Sequence, residues 1–202
     1  MSLQENFDRT EIDPRLKWMN PPPNWFVEVR QSLLVVEPAG SSDFWQRTHY
    51  GFQADNGSFL YTSVDYDFCM STRVHFYPRH QYDQAGLLVR FSADCWIKTS
   101  VEHETGQPCV LGAVVTNGGY SDWSTQEFQG NSIELRILRA EADYLIHWRK
   151  PEQPWCQLRM CHLHADDGGA PVLAGLYACC PKQAGFVAKF EHLTVEPAGN
   201  CR

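Results

Sequence analysis

The sequence predicts an all-β fold, a sandwich of two antiparallel sheets. Apolar residues recur at every second position in many short segments, and turn-forming residues separate these segments. No segment has the sustained apolar spacing of three and four residues that an amphipathic helix requires. Roughly twelve short strands of this kind are typical of a two-sheet sandwich. The length of 202 residues suits one such domain, and we expect a single domain over residues 1–202, without a linker.

The clearest β-hairpin in the sequence lies at residues 81–102, with its turn at residues 92–95. By the strand period of two, the faces that pack inward carry Leu87, Val89, Phe91, Ile97, Thr99 and Val101. The opposite faces carry Gln84, Gly86, Leu88, Arg90, Trp96, Lys98, Ser100 and Glu102. Such a mixture of aromatic, charged and amide groups can form the floor of a polar ligand site. A charged outer face is also ordinary for a half-buried sheet, so both interpretations stay open.

Before this hairpin the chain begins with a polar segment, and we expect residues 1–17 to be a loosely ordered arm. The proline-rich segment 18–25 is predicted to be extended, because proline prevents a helix there. A strand at 33–36 ends in Glu-Pro-Ala-Gly, and the same four residues follow the last strand at 193–195. This repeated ending predicts that the two strands lie side by side in one sheet.

The rest of the chain supplies further strands of the same alternating type, rich in β-branched and aromatic residues. They are predicted at residues 25–30, 59–64, 67–78, 111–116, 133–137, 144–148, 158–163, 172–180 and 186–195. Between the first two of these, Asp55-Asn56-Gly57 is a strong turn signal.

The charge of the chain limits its partners. A formal net charge of −7 argues against nucleic acid or an anionic membrane surface as the main partner. A hydrophobic fraction of 43% with 20% charged residues is typical of a globular protein. The seven tryptophans exceed what an ordinary core requires, and they suit either a core or stacking on a ligand.

The sequence predicts a cytoplasmic protein. It contains no amino-terminal apolar segment typical of a signal peptide and no apolar run long enough to span a bilayer. The eight cysteines lack the even spacing of a disulfide framework, so we expect most of them to be reduced thiols.

Several blocks together resemble a small cytosolic family that includes the fungal regulation-of-enolase protein. These blocks are Trp18–Pro22, Asp43–Trp45, Asp55–Gly57, Tyr82–Leu87, Trp96–Lys98 with Glu102, Thr116–Ser124 and Gly175–Cys179. The resemblance covers about residues 18–195 and implies a concanavalin A-like jelly roll of two curved antiparallel sheets. In such sandwiches the concave sheet carries the ligand cleft. The resemblance implies little about function, because the family has no assigned biochemical role and this fold hosts both binders and enzymes.

Arg90 and Lys98 are expected to lie close together if the outer face of the hairpin is the concave face. Depending on the turn, they pair directly across the strands or are offset by one strand position. Two neighbouring cations need a carboxylate or an anionic ligand between them, and Glu102 is the carboxylate on the same face. The alternative is a self-neutralised surface network with little net stabilisation.

A displayed tryptophan is predicted at Trp123, in a turn that follows Gly118-Gly119. It can stack on a sugar ring or a base, or it can close one end of the sandwich. Trp45 and Tyr50 are candidates for the opposite wall. The full set of expected ligand-binding residues is Trp45, Tyr50, Gln84, Arg90, Trp96, Lys98, Glu102, Trp123, Ser124 and Tyr177.

No catalytic motif is evident in the sequence. The laminarinase-like enzymes of this fold carry Glu-x-Asp-x-x-Glu on one strand. Here Glu141 and Asp143 match the first two positions of this motif, but Ile146 occupies the position of the last glutamate. We therefore expect no catalytic residue, and we expect no cofactor.

A zinc site is not expected either. The candidate ligands do not have a standard zinc spacing, and in strands alternate members face opposite sides. These candidates are Cys156, Cys161, His162, His164, Cys179 and Cys180.

The sequence thus predicts a lectin-like protein that binds a carbohydrate, a sugar phosphate or another polar or anionic small ligand on the concave sheet. One alternative is a regulatory module whose cleft binds a protein partner, such as a metabolic enzyme. A second is a glycan hydrolase or lyase that uses Glu102.

Overall fold

The computed structural model describes residues 2–201. In that part of the chain the backbone forms eighteen strands and one short 3₁₀ helix, Ala198–Asn200. The first nine strands are β1 (Leu3–Glu5), β2 (Lys17–Met19), β3 (Asn24–Glu28), β4 (Leu33–Glu37), β5 (Phe44–Gln46), β6 (Gln53–Asp55), β7 (Ser58–Val64), β8 (Phe68–Tyr77) and β9 (Gln84–Ser92). The others are β10 (Cys95–Glu102), β11 (Cys109–Asn117), β12 (Tyr120–Phe128), β13 (Ser132–Ala140), β14 (Asp143–Arg149), β15 (Cys156–His162), β16 (Val172–Cys179), β17 (Val187–Phe190) and β18 (Leu193–Pro197).

Two large antiparallel sheets hold nearly all of these strands. The seven-stranded sheet has the order β12-β11-β10-β9-β16-β7-β2. The nine-stranded sheet has the order β15-β14-β13-β8-β17-β4-β3, and β18 with β1 continues it beside the first part of β8. The all-β sandwich is the predicted fold class. It has more strands than the sequence indicated, because pieces of three residues are too short to show an alternation.

The main core lies between the two sheets. Leu87, Val89, Ile97 and Val101 of the predicted hairpin are buried in it, opposite residues such as Leu135. Thr99 is buried on the same face and satisfies its hydroxyl by donating to the backbone oxygen of Gly112 at 2.9 Å. The inward face of the hairpin is therefore as predicted.

The turn of this hairpin offsets the two cations on its other face. Ser92 pairs with Cys95 around a two-residue turn, and the register then shifts between Cys95 and Trp96. As a result Arg90 faces Trp96, whereas Lys98 faces Leu88, the next residue on the same face of β9. Arg90 and Lys98 share a face but are not a direct cross-strand pair.

Residues 1–17 do not form the loosely ordered arm that we expected. β1 pairs with β18, and Leu3, Phe7 and Leu16 are buried against the main core. The carboxylate of Glu5 accepts hydrogen bonds from the backbone N–H groups of Phe7 at 2.8 Å and Asp13 at 2.6 Å. The sequence did not reveal this because three apolar side chains at irregular spacing have neither a strand period nor a helix period.

The two strands with the same Glu-Pro-Ala-Gly ending lie in one sheet but are not neighbours, contrary to our expectation. β4 pairs with β3 and β17, whereas β18 pairs with β8 and β1.

One disulfide joins Cys69 of β8 to Cys201 beyond the 3₁₀ helix. Six other cysteines are free thiols, in line with the expectation that most are reduced. Within residues 2–201, no helix has the length and apolarity needed to cross a membrane.

The docked amino-terminal segment can be tested at Phe7, whose side chain is fully buried. We expect Phe7→Ala to lower the free energy of unfolding by about 3–5 kcal/mol, because it removes a buried ring and leaves a cavity. Urea denaturation of the purified protein measures this. Phe26→Ala removes a ring that is 45% exposed and serves as the control. A loss below about 1 kcal/mol for Phe7→Ala would mean that the segment is not docked.

Candidate ligand-binding cleft

A small hairpin covers part of the outer face of the seven-stranded sheet. β5 and β6 pair only with each other, and we call residues 43–57 the flap. A second apolar cluster, separate from the main core, lies between the flap and the sheet and includes side chains of both. It consists of Phe44, Trp45, Phe59, Leu88, Trp96, Val114, Tyr177 and Cys179. The outer face of the β9–β10 hairpin is thus covered by protein and is not a solvated surface.

Two ion pairs hold the flap on the sheet. The guanidinium of Arg90 donates two hydrogen bonds to the carboxylate of Asp55, at 2.6 and 2.8 Å. The ammonium of Lys98 donates to Asp43 Oδ1 at 3.1 Å and to the backbone oxygen of Phe44 at 2.8 Å. Both cations are buried, so each needs such a partner.

Glu102 is not the ion-pair partner of either cation, because each cation has its own aspartate on the flap. The charges neutralise one another, as in the alternative prediction, but they do so in a buried position and not at the surface. Asp43 and Asp55 flank β5 and β6, far from β9 and β10 in the sequence. Only the folding of the flap onto the sheet brings them together.

Asn56 and Gly57, in the predicted turn, fix the end of the flap at which its two strands join the rest of the chain. The side chain of Asn56 accepts from the backbone N–H of Asp43 at 3.0 Å and donates to the backbone oxygen of Ser41 at 2.9 Å. A Cβ atom at Gly57 would lie 2.4 Å from the Phe44 ring and 2.5 Å from Cys179 Sγ. The turn therefore requires glycine because the chain passes directly over these two side chains.

A cleft of about 570 Å³ opens between the flap, β10 and β12. One wall carries aromatic rings and the floor carries polar groups. The residues that line it include Asp43, Trp45, Tyr50, Phe52, Asp55, Tyr82, Gln84, Lys98, Glu102, Trp123 and Lys182.

Four aromatic rings form a row along the wall. The ring centroids of Trp123 and Trp45 are 6.3 Å apart, with an edge-to-face arrangement. Trp45 and Tyr50 follow at 5.6 Å, and Tyr50 and Phe52 at 6.1 Å. Such a row offers several faces on which the apolar faces of a ligand can stack.

The floor holds a carboxyl group that keeps its proton at neutral pH. Burial raises the pKa of Glu102 to about 8, although the nearby ammonium of Lys98 opposes this shift. Burial is the largest single influence on Lys98 and would lower its pKa, but the acidic groups around it, Asp43 first, together raise this pKa, so that Lys98 is charged. The floor can therefore donate hydrogen bonds from Glu102 as well as accept them.

Beside these groups, the hydroxyl of Tyr177 donates to Gln84 Oε1 at 3.1 Å. Burial holds the pKa of Tyr177 well above its usual value, so this hydroxyl keeps its proton. The bond fixes the amide of Gln84 with its carbonyl toward Tyr177. Its amide nitrogen donates to the backbone oxygen of Tyr82 at 3.1 Å.

The structure divides the predicted site residues into two groups. Those that line the cleft are Trp45, Tyr50, Gln84, Lys98, Glu102 and Trp123. Those that lie outside its lining are Arg90, Trp96, Ser124 and Tyr177. Arg90 and Tyr177 are buried beneath the flap and act on the cleft through Asp55 and Gln84.

Trp96 and Ser124 do not have the positions that we expected. Trp96 is fully buried in the cluster beneath the flap, and its indole nitrogen donates to the backbone oxygen of Ala93 at 3.0 Å. Trp123 lies in strand β12 opposite Val114, and not in a turn. Because successive side chains of a strand alternate, Ser124 faces away from the cleft and accepts from Arg159 at 2.9 Å.

Several residues that line the cleft were not predicted as site residues from the sequence. Phe52, Asp43 and Asp55 belong to the flap, and Tyr82 and Lys182 lie at the rim, where Lys182 Nζ is 5.5 Å from the centroid of the Tyr82 ring. The cluster of aromatic residues in segment 44–52 was the signal that could have identified the flap.

A second depression of about 680 Å³ lies on the nine-stranded sheet. Its charged groups already have partners, since Glu191 pairs with Arg73 at 3.3 Å and Lys189 pairs with Glu28 at 3.3 Å. It has no row of aromatic rings, and Tyr77 is the aromatic side chain in its lining. The flap-covered cleft is therefore the stronger candidate.

The thiols and imidazoles considered for zinc are divided between the two sheets. Cys156, Cys161 and His162 lie on β15, whereas Cys179 ends β16 in the other sheet. Among residues 2–201, no three histidine, cysteine or acidic side chains are arranged to hold a metal ion.

Comparison with known proteins shows close relatives of this chain. Residues 18–198 match the profile of a family described as "Protein of unknown function (DUF1349)". The chain is 32% identical over 175 residues to Regulation of enolase protein 1 of Saccharomyces cerevisiae, which covers 86% of this chain and 85% of that protein. The crystal structure of a functionally unknown protein from the same yeast superposes with a TM-score of 0.82 and 29% identity, over 91% of this chain and 96% of that one. The resemblance inferred from the sequence is confirmed.

A more distant structure shows the same architecture. Xylan β-1,4-xylosidase from Bacillus halodurans C-125 superposes with a TM-score of 0.78 at 12% identity, over 96% of this chain and 38% of that one. At this identity the likeness concerns the fold alone. It confirms the jelly-roll sandwich.

The flap contacts predict the effect of removing one charge. Asp43→Asn leaves the buried ammonium of Lys98 without its carboxylate, and we expect a loss of about 3–5 kcal/mol in the free energy of unfolding. Adding Lys98→Met removes the unpaired charge and should restore most of the loss. Asp122→Asn, in an exposed ion pair with Arg159, is the control and should cost less than about 1 kcal/mol. Equal effects of Asp43→Asn and Asp122→Asn in urea denaturation would contradict a stabilising ion pair between Asp43 and Lys98.

The protonation of Glu102 predicts a pH dependence of stability. Its pKa rises from 4.5 to about 8 on folding, so its contribution is fully present below pH 4.5 and is lost as the pH rises to about 8. Within this window each pH unit should cost the wild type about 1.4 kcal/mol from this group. Glu102→Gln should remove that slope from urea denaturation measured at pH 5–8. Glu127→Gln, on the exposed face of β12, should keep it, and parallel profiles for wild type and Glu102→Gln would refute the assignment.

Proposed function

The chain belongs to the family of proteins of unknown function DUF1349, and we propose that it is a lectin-like protein that binds carbohydrate in the flap-covered cleft. The observation that carries the proposal is the row of aromatic rings beside a floor of hydrogen-bonding groups. Carbohydrates need both, because a sugar ring has apolar C–H faces and a rim of hydroxyl groups. We propose binding without catalysis, since the sequence has no glycosidase motif of this fold.

Trp123 supplies the main stacking surface in this proposal, with the largely buried Trp45 packed against it, and Gln84, Lys98 and Glu102 supply the polar contacts. The three polar groups are held on one face of β9 and β10, and the ion pair to Asp43 fixes the ammonium of Lys98. A site whose groups are already oriented loses little entropy when it binds, which favours useful affinity for a small polar ligand.

We also propose that the protein acts in the cytoplasm. Six cysteines are free thiols, some of them partly exposed, and free thiols persist in a reducing compartment.

A thermal-shift screen of the purified protein tests the binding function. The panel holds mono- and oligosaccharides and sugar phosphates. A ligand at 100 times its dissociation constant should add about 2.7 kcal/mol to the stability. We expect a hit that Trp123→Ala abolishes.

The matched control is Trp155→Ala, a half-buried tryptophan near β15 that lies between Arg136 and Arg149. It should keep the ligand-induced stabilisation. A hit that survives Trp123→Ala would refute binding in this cleft. Turnover of a panel member, lost in Glu102→Gln, would instead favour a hydrolase or lyase.

A second function is a regulatory protein interaction, in which the aromatic cleft takes a segment of a metabolic enzyme. The observation that favours it is the name of the yeast relative, Regulation of enolase protein 1, at 32% identity. Titration of this chain with purified enolase in an ultracentrifuge tests it. Saturable binding that no sugar displaces and that Trp123→Ala weakens would favour this function over carbohydrate binding. An absence of complex would exclude this partner.

A further inference from the structure

We propose that the ligand of the cleft is an uncharged chain that extends beyond the floor onto an outer subsite formed by Tyr50 and Phe52 at the tip of the flap. This inference rests on the proposed carbohydrate-binding function and defines its ligand more narrowly.

The tip holds two large rings in solvent. Tyr50 is 51% exposed and Phe52 is 45% exposed. Their centroids are 6.1 Å apart and their planes differ by 34°, so that both rings offer faces to a passing ligand. Exposed rings of this size are unfavourable in water, and two of them at the end of a cleft are typical of a binding surface.

The position of these rings is determined by hydrogen bonds within the tip. The backbone N–H of Arg47 donates to the oxygen of Phe52 at 2.9 Å, and that of Gly51 donates to the oxygen of Arg47 at 2.8 Å. The indole of Trp45 donates to the oxygen of Thr48 at 3.1 Å. The side chain of Arg47 donates to the backbone oxygen of Gly119 at 3.0 Å, in the turn between β11 and β12. The backbone that carries the two exposed rings is therefore fixed before any ligand binds.

The rings continue the wall of the cleft. Tyr50 contacts Trp45, which contacts Trp123, so the outer pair extends a row that begins over the floor. A monosaccharide on Trp123 and the floor leaves Phe52 unused. A chain that leaves the floor along this row would use every ring.

The charges indicate that this chain is uncharged. Arg90 and Lys98 already bind Asp55 and Asp43, so neither cation is free for an anionic ligand. An added anion would also lie beside the carboxylates of Asp43 and Asp55, which line the same cleft. Like charges in a partly buried site cost free energy. The other cation in the lining of the cleft, Lys182, lies at the rim over the ring of Tyr82.

Isothermal titration calorimetry tests the inference with β-1,4-linked xylo- and gluco-oligosaccharides of one to six units as probes. Oligogalacturonates of the same lengths and sugar phosphates are the charged probes. We expect the hexamers of the neutral series to bind tighter than the disaccharides and tighter than every charged probe. Because an aromatic contact contributes about 0.5–1.5 kcal/mol, Phe52→Ala should weaken hexamer binding about two- to tenfold and leave disaccharide binding unchanged.

The control is Phe26→Ala, which removes a ring of the same type and the same 45% exposure from β3 of the other sheet. It should leave all affinities unchanged. Binding that depends on Trp123 but not on chain length or Phe52 would overturn the outer subsite while the proposed function stands. Tighter binding of the charged probes would overturn the uncharged ligand. Binding of no probe at all would overturn the proposed function and this inference with it.

Discussion

The two ion pairs between the flap and the seven-stranded sheet, Arg90 with Asp55 and Lys98 with Asp43, determine the shape of the candidate site. The cations lie on β9 and β10, in the centre of the sheet, and the carboxylates lie at the ends of a hairpin that pairs with no other strand. Without these pairs, two buried cations would be left without carboxylate partners, and the flap would lose both of its ion pairs to the sheet. The cleft exists because the ion pairs attach the flap to the sheet at one end, while the rest of the flap extends over the sheet.

This attachment also sets the chemistry of the floor. The flap removes water from β10, and burial then raises the pKa of Glu102 so that it carries a proton at neutral pH. At Lys98 the acidic groups nearby, Asp43 first, together outweigh the same burial and raise the pKa of the ammonium. The site therefore combines a neutral acid, a neutralised ammonium and an amide with a wall of aromatic rings. A floor of this kind suits hydroxyl groups better than it suits a phosphate or a carboxylate.

Much of the fold could be predicted from the sequence, and only part of the site. The period of two in β9 and β10 correctly placed Leu87 and Ile97 in the core and Gln84 and Glu102 on the opposite face. The same period could not say that this opposite face is itself covered. It therefore predicted that Trp96 contacts the ligand, whereas the flap buries this side chain completely. The amino-terminal segment shows the same limit, because Phe7 reaches the core from a stretch without any regular pattern.

The sequence by itself determined the all-β sandwich, the central hairpin and the family resemblance, because strand alternation and turn residues are local properties of the chain. The tertiary structure alone decided which side chains meet across the cleft. Asp43 and Asp55 neutralise cations of β9 and β10 that follow them by 55 and 35 residues, and no local pattern records such a partner. It also decided that Arg90, a candidate for ligand binding, lies under the flap and holds it in place. A charge in a sequence has no known partner until the chain folds, and the partner determines whether that charge is available to a ligand.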